Sequence, residues 1–124
     1  MDSKQKTEIK SRSVFYDLLV WQKAMIFVKE TYKITSRLPK HEQFALADQL
    51  RRSAISIPSN IAEGSKRGKK EFLQFLRIAN ASAAEAETQL LLVKDIYGID
   101  TSSAFIPLIE VERMLESLMS KIRL

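Results

Sequence analysis

The chain contains no cysteine, and it has a single histidine, a single tryptophan, three glycines and three prolines among its 124 residues. Without cysteine it forms neither a disulfide framework nor a thiolate metal site. That fits a reducing compartment, and we expect a cytoplasmic location. The one imidazole, His41, falls at the start of a helical segment with no serine or cysteine set against it, so no catalytic triad can be assembled. His41 reads instead as a solvated or capping side chain. Glu85 and Glu87 do not share a helix face and no Glu-x-x-His pair occurs, so a ferritin-like di-metal centre is not indicated. Long apolar runs are missing too. The longest is cut by Gln22 and Lys23, so nothing reads as a membrane span. The stretch from Met1 to Ser13 lacks the apolar centre of a signal peptide. These absences lead us to expect no enzyme, no cofactor, no metal and no membrane association.

What is present is a helical pattern almost from end to end. Apolar residues make up 45% and charged residues 28%, the balance of a globular domain with its own core. Residues 1–13 are polar, basic and aperiodic and read as a flexible arm, leaving 14–124 as one four-helix domain. Asp17 is expected to cap a first helix that runs to about Arg37 and stops before Leu38-Pro39. A second helix starts near His41, with Phe44, Ala47, Leu50, Ala54, Ile57 and Ile61 at helical spacing, and ends near Gly64. The third runs from about Lys69 to Tyr97, where Gly98 supplies the stop. Thr101 or Ser102 caps a fourth that reaches nearly to Leu124, with Pro107 in its first turns. Short connections imply antiparallel neighbours, hence an all-α, up-down-up-down four-helix bundle.

Two helices carry well-defined seams. Phe72, Leu76, Ala79, Ala83, Ala86, Leu90, Val93 and Tyr97 alternate spacings of four and three, as do Ala104, Leu108, Val111, Leu115, Leu118 and Ile122. The first helix has a core row at Leu18, Trp21, Met25, Val28 and Tyr32, and a second apolar row at Val20, Phe27 and Ile34. The third helix adds Ile78, Ala81, Ala84, Leu91 and Leu92 off its seam. These extra rows either deepen a monomer core or bury between subunits, with Val20, Phe27, Ile34, Leu91 and Leu92 as the interface in the second case.

The second helix contains Pro58 within Arg51-Arg52-Ser53-Ala54-Ile55-Ser56-Ile57-Pro58-Ser59-Asn60-Ile61-Ala62-Glu63-Gly64. A proline there donates no N–H and crowds the carbonyl four residues back, so it is expected to kink the helix. Ser56, Ser59, Asn60 and Glu63 surround it and can satisfy the freed backbone. Asn60 and Glu63 are expected to bond backbone or an arginine, Arg51 or Arg52.

Charge is unevenly spread. Residues 1–77 hold sixteen Lys and Arg against eight Asp and Glu, and residues 78–124 hold four against seven, which divides the net +5 into +8 and −3. The segment Gly64-Ser65-Lys66-Arg67-Gly68-Lys69-Lys70 is not a phosphate loop, because three residues separate its glycines, no Ser or Thr follows the lysine, and a helix precedes it. It reads as a basic turn, either plainly solvated or in contact with phosphate. Arg51, Arg52 and Arg77 can join Lys66, Arg67, Lys69 and Lys70 in one anion-binding patch if the corner between helices two and three brings them together. Alternatively, Arg51 or Arg52 pairs internally with Glu63 or Glu85. No base-reading module is visible, so any RNA contact is to backbone or shape.

Leu18 with Val20-Trp21-Gln22-Lys23-Ala24, then Gln49-Leu50-Arg51-Arg52, Ser56-Ile57-Pro58, Asn60-Ile61-Ala62-Glu63-Gly64, Glu71-Phe72, Phe75-Leu76, Ala79, Ser82 with Glu85, and Gln89-Leu90 form a pattern over residues 15–122. This pattern resembles the 23S rRNA-intervening-sequence protein family, the four helix bundle proteins. Ala81 stands where that family often has glycine. The resemblance implies a bundle assembled as a ring-like homopentamer, with Pro58, Asn60, Glu63, Gly64, Ser82 and Glu85 as its structural motif. It also implies similarity to the accessory protein of diversity-generating retroelements, which partners a reverse transcriptase and RNA. It assigns no reaction. The charge asymmetry and the resemblance together give the expectation of a non-enzymatic oligomer binding structured RNA, and the alternative of a scaffold or accessory subunit for an acidic partner protein.

Overall fold

The computed structural model describes residues 2–3 and 14–124, with the backbone alone at Val14. The expected arm over 1–13 lies almost wholly outside the described residues. Four helices follow: α1 (Leu19–Thr35), α2 (Leu46–Ser65), α3 (Lys69–Tyr97) and α4 (Ser102–Lys121). Short 3-10 turns at Val14–Asp17 and Lys40–Glu42 precede α1 and α2. There is no strand among the described residues.

Asp17 does not cap α1. It ends the 3-10 turn, and extended Leu18 takes the N-cap position. The turn is tied by the Leu18 N–H donating to the Phe15 carbonyl at 3.1 Å and by Gln22 Nε2 donating to the Tyr16 carbonyl at 2.7 Å. At the other end of α1, Gln43 Nε2 donates to the carbonyls of Thr35 at 3.0 Å and Leu38 at 3.1 Å, which answers acceptors left over at the helix end. Arg51 holds Gln43 in turn, through its side-chain oxygen at 3.2 Å and its backbone carbonyl at 2.8 Å. This knot delays α2 to Leu46 instead of His41. It also throws Phe44, expected in the core, into solvent at 95% exposure. α3 stops where Gly98 turns left-handed at φ 65° and its N–H closes on the Lys94 carbonyl at 2.8 Å.

Each helix packs closely on two neighbours, α1 on α2 and α4, α3 on α2 and α4, and the backbones of the diagonal pairs stay farther apart. The contacts run in opposite sequence directions. Ser53 meets Gln89, Ser56 meets Ser82, and Gly64 lies against Phe72 and Phe75. Arg51 lies over Tyr32 while Lys66 lies over Phe15. The result is a four-helix bundle whose core is filled by Leu50, Ile57, Ile61, Leu76, Leu90, Val93, Leu108, Val111 and Leu115, all fully enclosed.

The two rows of α1 exchange roles. Phe27 is 0% exposed, and Val20 and Ile34 at most 4%, so these three belong to the bundle's own core and not to a subunit interface. Ala24 and Thr31, also buried, complete the row at spacings of four and three. Their small size conceals that seam from a reading weighted by bulk. The Leu18, Trp21, Met25, Val28 and Tyr32 row is only half-covered, and Tyr32 is 46% exposed.

α2 carries Pro58 inside one unbroken helix. Proline cannot bond the carbonyl of Ala54. Beside it, Asn60 Nδ2 donates to the Ser56 carbonyl at 2.7 Å and to Ser56 Oγ at 2.9 Å, and Ser56 Oγ is 2.9 Å from Ser82 Oγ on α3. A second buried link joins the same helices one turn away, where the Ser53 hydroxyl donates to Gln89 Oε1 at 2.6 Å. Gln89 Nε2 reaches Glu85 Oε1 at 3.4 Å. A one-residue slip between α2 and α3 breaks both links, so they hold the register of the pair. Ser53→Ala leaves Gln89 Oε1 unpaired in a buried site. It is expected to cost about 1–3 kcal/mol in a urea melt, with partial recovery when Gln89→Leu is added, because removing both partners leaves no orphan.

Candidate nucleic-acid interface

The corner between α2 and α3 is a three-residue turn, Lys66-Arg67-Gly68. Lys66, Arg67, Lys69 and Lys70 are all exposed on it. Arg67 is largely neutralised, with its guanidinium 3.7 Å from Glu63 Oε1 and 3.2 Å from Glu71 Oε2, and lies 5.5 Å over the Phe75 ring. Lys66 Nζ lies 5.7 Å over the Phe15 ring. Lys69 and Lys70 have no ion-pair partner among the described residues. They open α3, whose N-cap Gly68 provides no side-chain bond, so the first N–H groups of the helix have no capping side chain. Helix N-termini and lysines both favour anions.

The arginines do not join this patch. Arg51 is half-buried and committed to Gln43, with its guanidinium 5.9 Å from the Tyr32 ring centre. Arg52 pairs with Asp48 at 3.0 Å. Both sit some fourteen residues up α2 from Lys66, about 21 Å along the axis. Arg77 is exposed on α3 and bonds Gln74 at 3.3 Å. Of the seven cations proposed from sequence, only the four at the turn come together. Glu63 meets Arg67 and neither Arg51 nor Arg52, and Asn60 bonds backbone as expected. Pro58 and Gly64 are buried where α2 meets its neighbours, and Glu85 is exposed. Leu91 and Leu92 stand 45% and 42% exposed on α3.

Three aromatic residues escaped the sequence reasoning, which placed Trp21 in a core seam and gave Phe15 and Tyr16 no role. Phe15 and Tyr16 stack at 5.0 Å, and Trp21 meets them at 5.2 Å and 5.0 Å. The signal available was their crowding at the start of α1. A second missed cluster closes the opposite end of the bundle. There the Tyr97 hydroxyl donates to Glu42 Oε2 at 2.6 Å and lies 3.3 Å from His41 Nε2, and the bond to Glu42 pushes the phenol's pKa above its usual value.

Away from the basic turn, Glu87 of α3 lies beside Glu112 and Glu116 of α4. Glu112 of α4 has one carboxylate oxygen enclosed without a hydrogen-bond partner. Burial first, then the neighbouring Glu87 and Glu116, push its pKa up to about 7. Two carboxylates offer no donor between them, so a proton on Glu112 supplies the bond to Glu87. The folded state therefore binds this proton more tightly than the unfolded chain does. Stability from this group is full in acid, falls as pH rises from about 4.5 to about 7, and is constant above that range. Glu112→Gln is expected to flatten the fall, read from melting temperatures across that range.

Among the described residues there is no group of three His, Cys, Asp or Glu placed to hold a metal. No helix among them is long and apolar enough to cross a membrane. The chain is an all-helical four-helix bundle in which Ser56, Asn60 and Ser82 are hydrogen-bonded between α2 and α3. Residues 16–120 match the model of the 23S rRNA-intervening sequence protein family, and the chain belongs to that family. Among solved structures it is similar to a protein of unknown function from the S23 ribosomal protein family of Bacteroides thetaiotaomicron. The two share 25% identity and superpose with a TM-score of 0.77, over 85% of this chain and 98% of the other. No curated protein matches the chain.

Proposed function

We propose that this chain is a non-catalytic helical scaffold that associates with copies of itself and holds nucleic acid, structured RNA first, at the α2–α3 corner. The observation that carries the reading is the exposed turn Lys66, Arg67, Lys69 and Lys70 at one end of the bundle, with Lys69 and Lys70 unpaired among the described residues. A few phosphate contacts on one copy bind weakly at physiological salt. A ring of five, which the family resemblance implies, repeats the turn and raises avidity when one RNA spans several copies. Reversing Lys69 and Lys70 to Glu is expected to weaken RNA binding sharply in a gel shift and to leave the melting temperature nearly unchanged, since both side chains are solvated. Equal affinity for wild type and double reversal at low salt, with the oligomer intact, eliminates this surface.

Self-association draws on α3. Leu91 and Leu92 form part of an exposed apolar surface that the monomer leaves uncovered. Leu92→Glu is expected to lower the molar mass in light scattering while the helical circular-dichroism signal persists. An unaltered wild-type monomer at micromolar concentration contradicts the assembly.

A further inference from the structure

Phe15 and Tyr16 lie outside the core cluster, and Trp21 packs against it only partly buried. The core row of the same helix, Val20, Ala24 and Phe27, is at most 4% exposed. Phe15, Tyr16 and Trp21 remain half-covered, ring against ring at 5.0–5.2 Å, with part of each facing solvent. Lys66 Nζ stands 5.7 Å from the Phe15 ring centre, so the cluster adjoins the cationic turn directly. Trp21 also forms one wall of an apolar groove of about 320 Å³, with Met25, Ile55 and Pro58 opposite and beside it.

We infer that Phe15, Tyr16 and Trp21 form a stacking platform for an unpaired base of single-stranded RNA, with Lys66, Lys69 and Lys70 on the phosphates beside it. This rests on the nucleic-acid reading above and narrows it to the unpaired parts of an RNA. Charge complementarity selects the occupant. An aromatic surface flanked by lysines meets both needs of a single strand, a ring face for the base and cations for the backbone. Duplex RNA satisfies only the second, because its bases are already stacked on one another. The turn and the platform are close enough for one short strand, since Lys69 is three residues from Lys66 and at most about 11 Å of chain away. Every base has a π-face, so the platform tolerates any sequence and needs none of the base-reading modules that this chain lacks.

Trp21 is the only tryptophan, so the full-length protein reports on the platform itself. A uridine oligonucleotide and a matched RNA duplex are titrated at low salt, with tryptophan emission and bound fraction followed together. The oligonucleotide is expected to change Trp21 emission in proportion to binding, and the duplex to bind without changing it. Tyr16→Ala is expected to weaken oligonucleotide binding by roughly fivefold or more with duplex binding unaltered, while Trp21→Phe, which keeps a ring, retains most of the affinity. Reversal of Lys69 and Lys70 weakens both ligands. Oligonucleotide binding that leaves Trp21 emission unaltered, or wild-type affinity in a folded Tyr16→Ala protein, overturns the platform and leaves the cationic corner standing. Binding of neither RNA overturns both, as does a Trp21 response confined to an acidic helical peptide.

Discussion

Phe27→Ala should remove about 3–5 kcal/mol of folding stability, the cost of deleting an enclosed aromatic side chain where neighbours relax only partly. Phe27 is fully enclosed, with buried Ala24 and Thr31 a turn to either side. Small domains hold about 5–15 kcal/mol in total, so the variant should be marginal or unfolded at 37 °C. Tyr32→Ala, on the neighbouring row, should cost about 1 kcal/mol or less, because that side chain is half in solvent and its ring lies 5.9 Å from the Arg51 guanidinium, an exposed cation–π contact. Urea melts of the two variants decide which row of α1 faces the bundle. Equal losses, or a larger loss at Tyr32, would contradict the packing described.

Gly64→Ala is the second large effect, and its sign depends on competing terms. Alanine favours a helix over glycine by about 1 kcal/mol. Against that, a Cβ at position 64 falls 2.5 Å from Phe75 Cβ and 3.0 Å from Phe72 Cδ1. The first contact is with an atom fixed to the backbone of α3, so no rotamer change relieves it, and α2 and α3 must move apart. Overpacking of this kind costs about 1–3 kcal/mol and at times more. The clash should win, giving a net loss of up to about 2 kcal/mol by the same reckoning. Truncating Phe75 to alanine does not remove the close Cβ, so the penalty should persist in that background. Alanine at Gly68 meets no atom within 4 Å and should lose only the N-cap preference. A stabilised Gly64→Ala protein would mean that the helices approach less closely there.

The legibility of this chain followed the strength of its periodicity. The middles of the α3 and α4 seams could be read directly, since Leu76, Ala79, Ala83, Ala86, Leu90 and Val93, with Ala104, Leu108, Val111 and Leu115, are enclosed, while Phe72, Tyr97, Leu118 and Ile122 at the ends of those seams are only partly buried against the core. Gly98 marked the stop of α3 because its left-handed conformation suits glycine. α1 misled for a physical reason. Its true seam alternates large residues with Ala24 and Thr31, while its half-exposed row holds Trp21, Met25 and Tyr32. Bulk pointed to the wrong face. Phe44 misled because periodicity extended the second helix backwards through a segment that Gln43 and Arg51 fold into a turn, a long-range arrangement that spacing cannot reveal. The same knot removed Arg51 from the cationic set. The turn Lys66–Lys70 was legible because it is contiguous. Phe15 and Tyr16 were not, since their role depends on meeting Lys66 from the far end of α2.

The central claim, that the α2–α3 corner holds RNA through its phosphates, is tested most directly by the salt dependence of binding. Affinity for a short structured RNA is measured over a range of salt for the wild type and for the Lys69→Glu, Lys70→Glu protein. The account predicts a log–log slope of several units for the wild-type oligomer, at about 0.7–0.9 per phosphate contact, and a clearly shallower slope for the double variant. A wild-type slope near zero, or the same steep slope in both proteins, would contradict it.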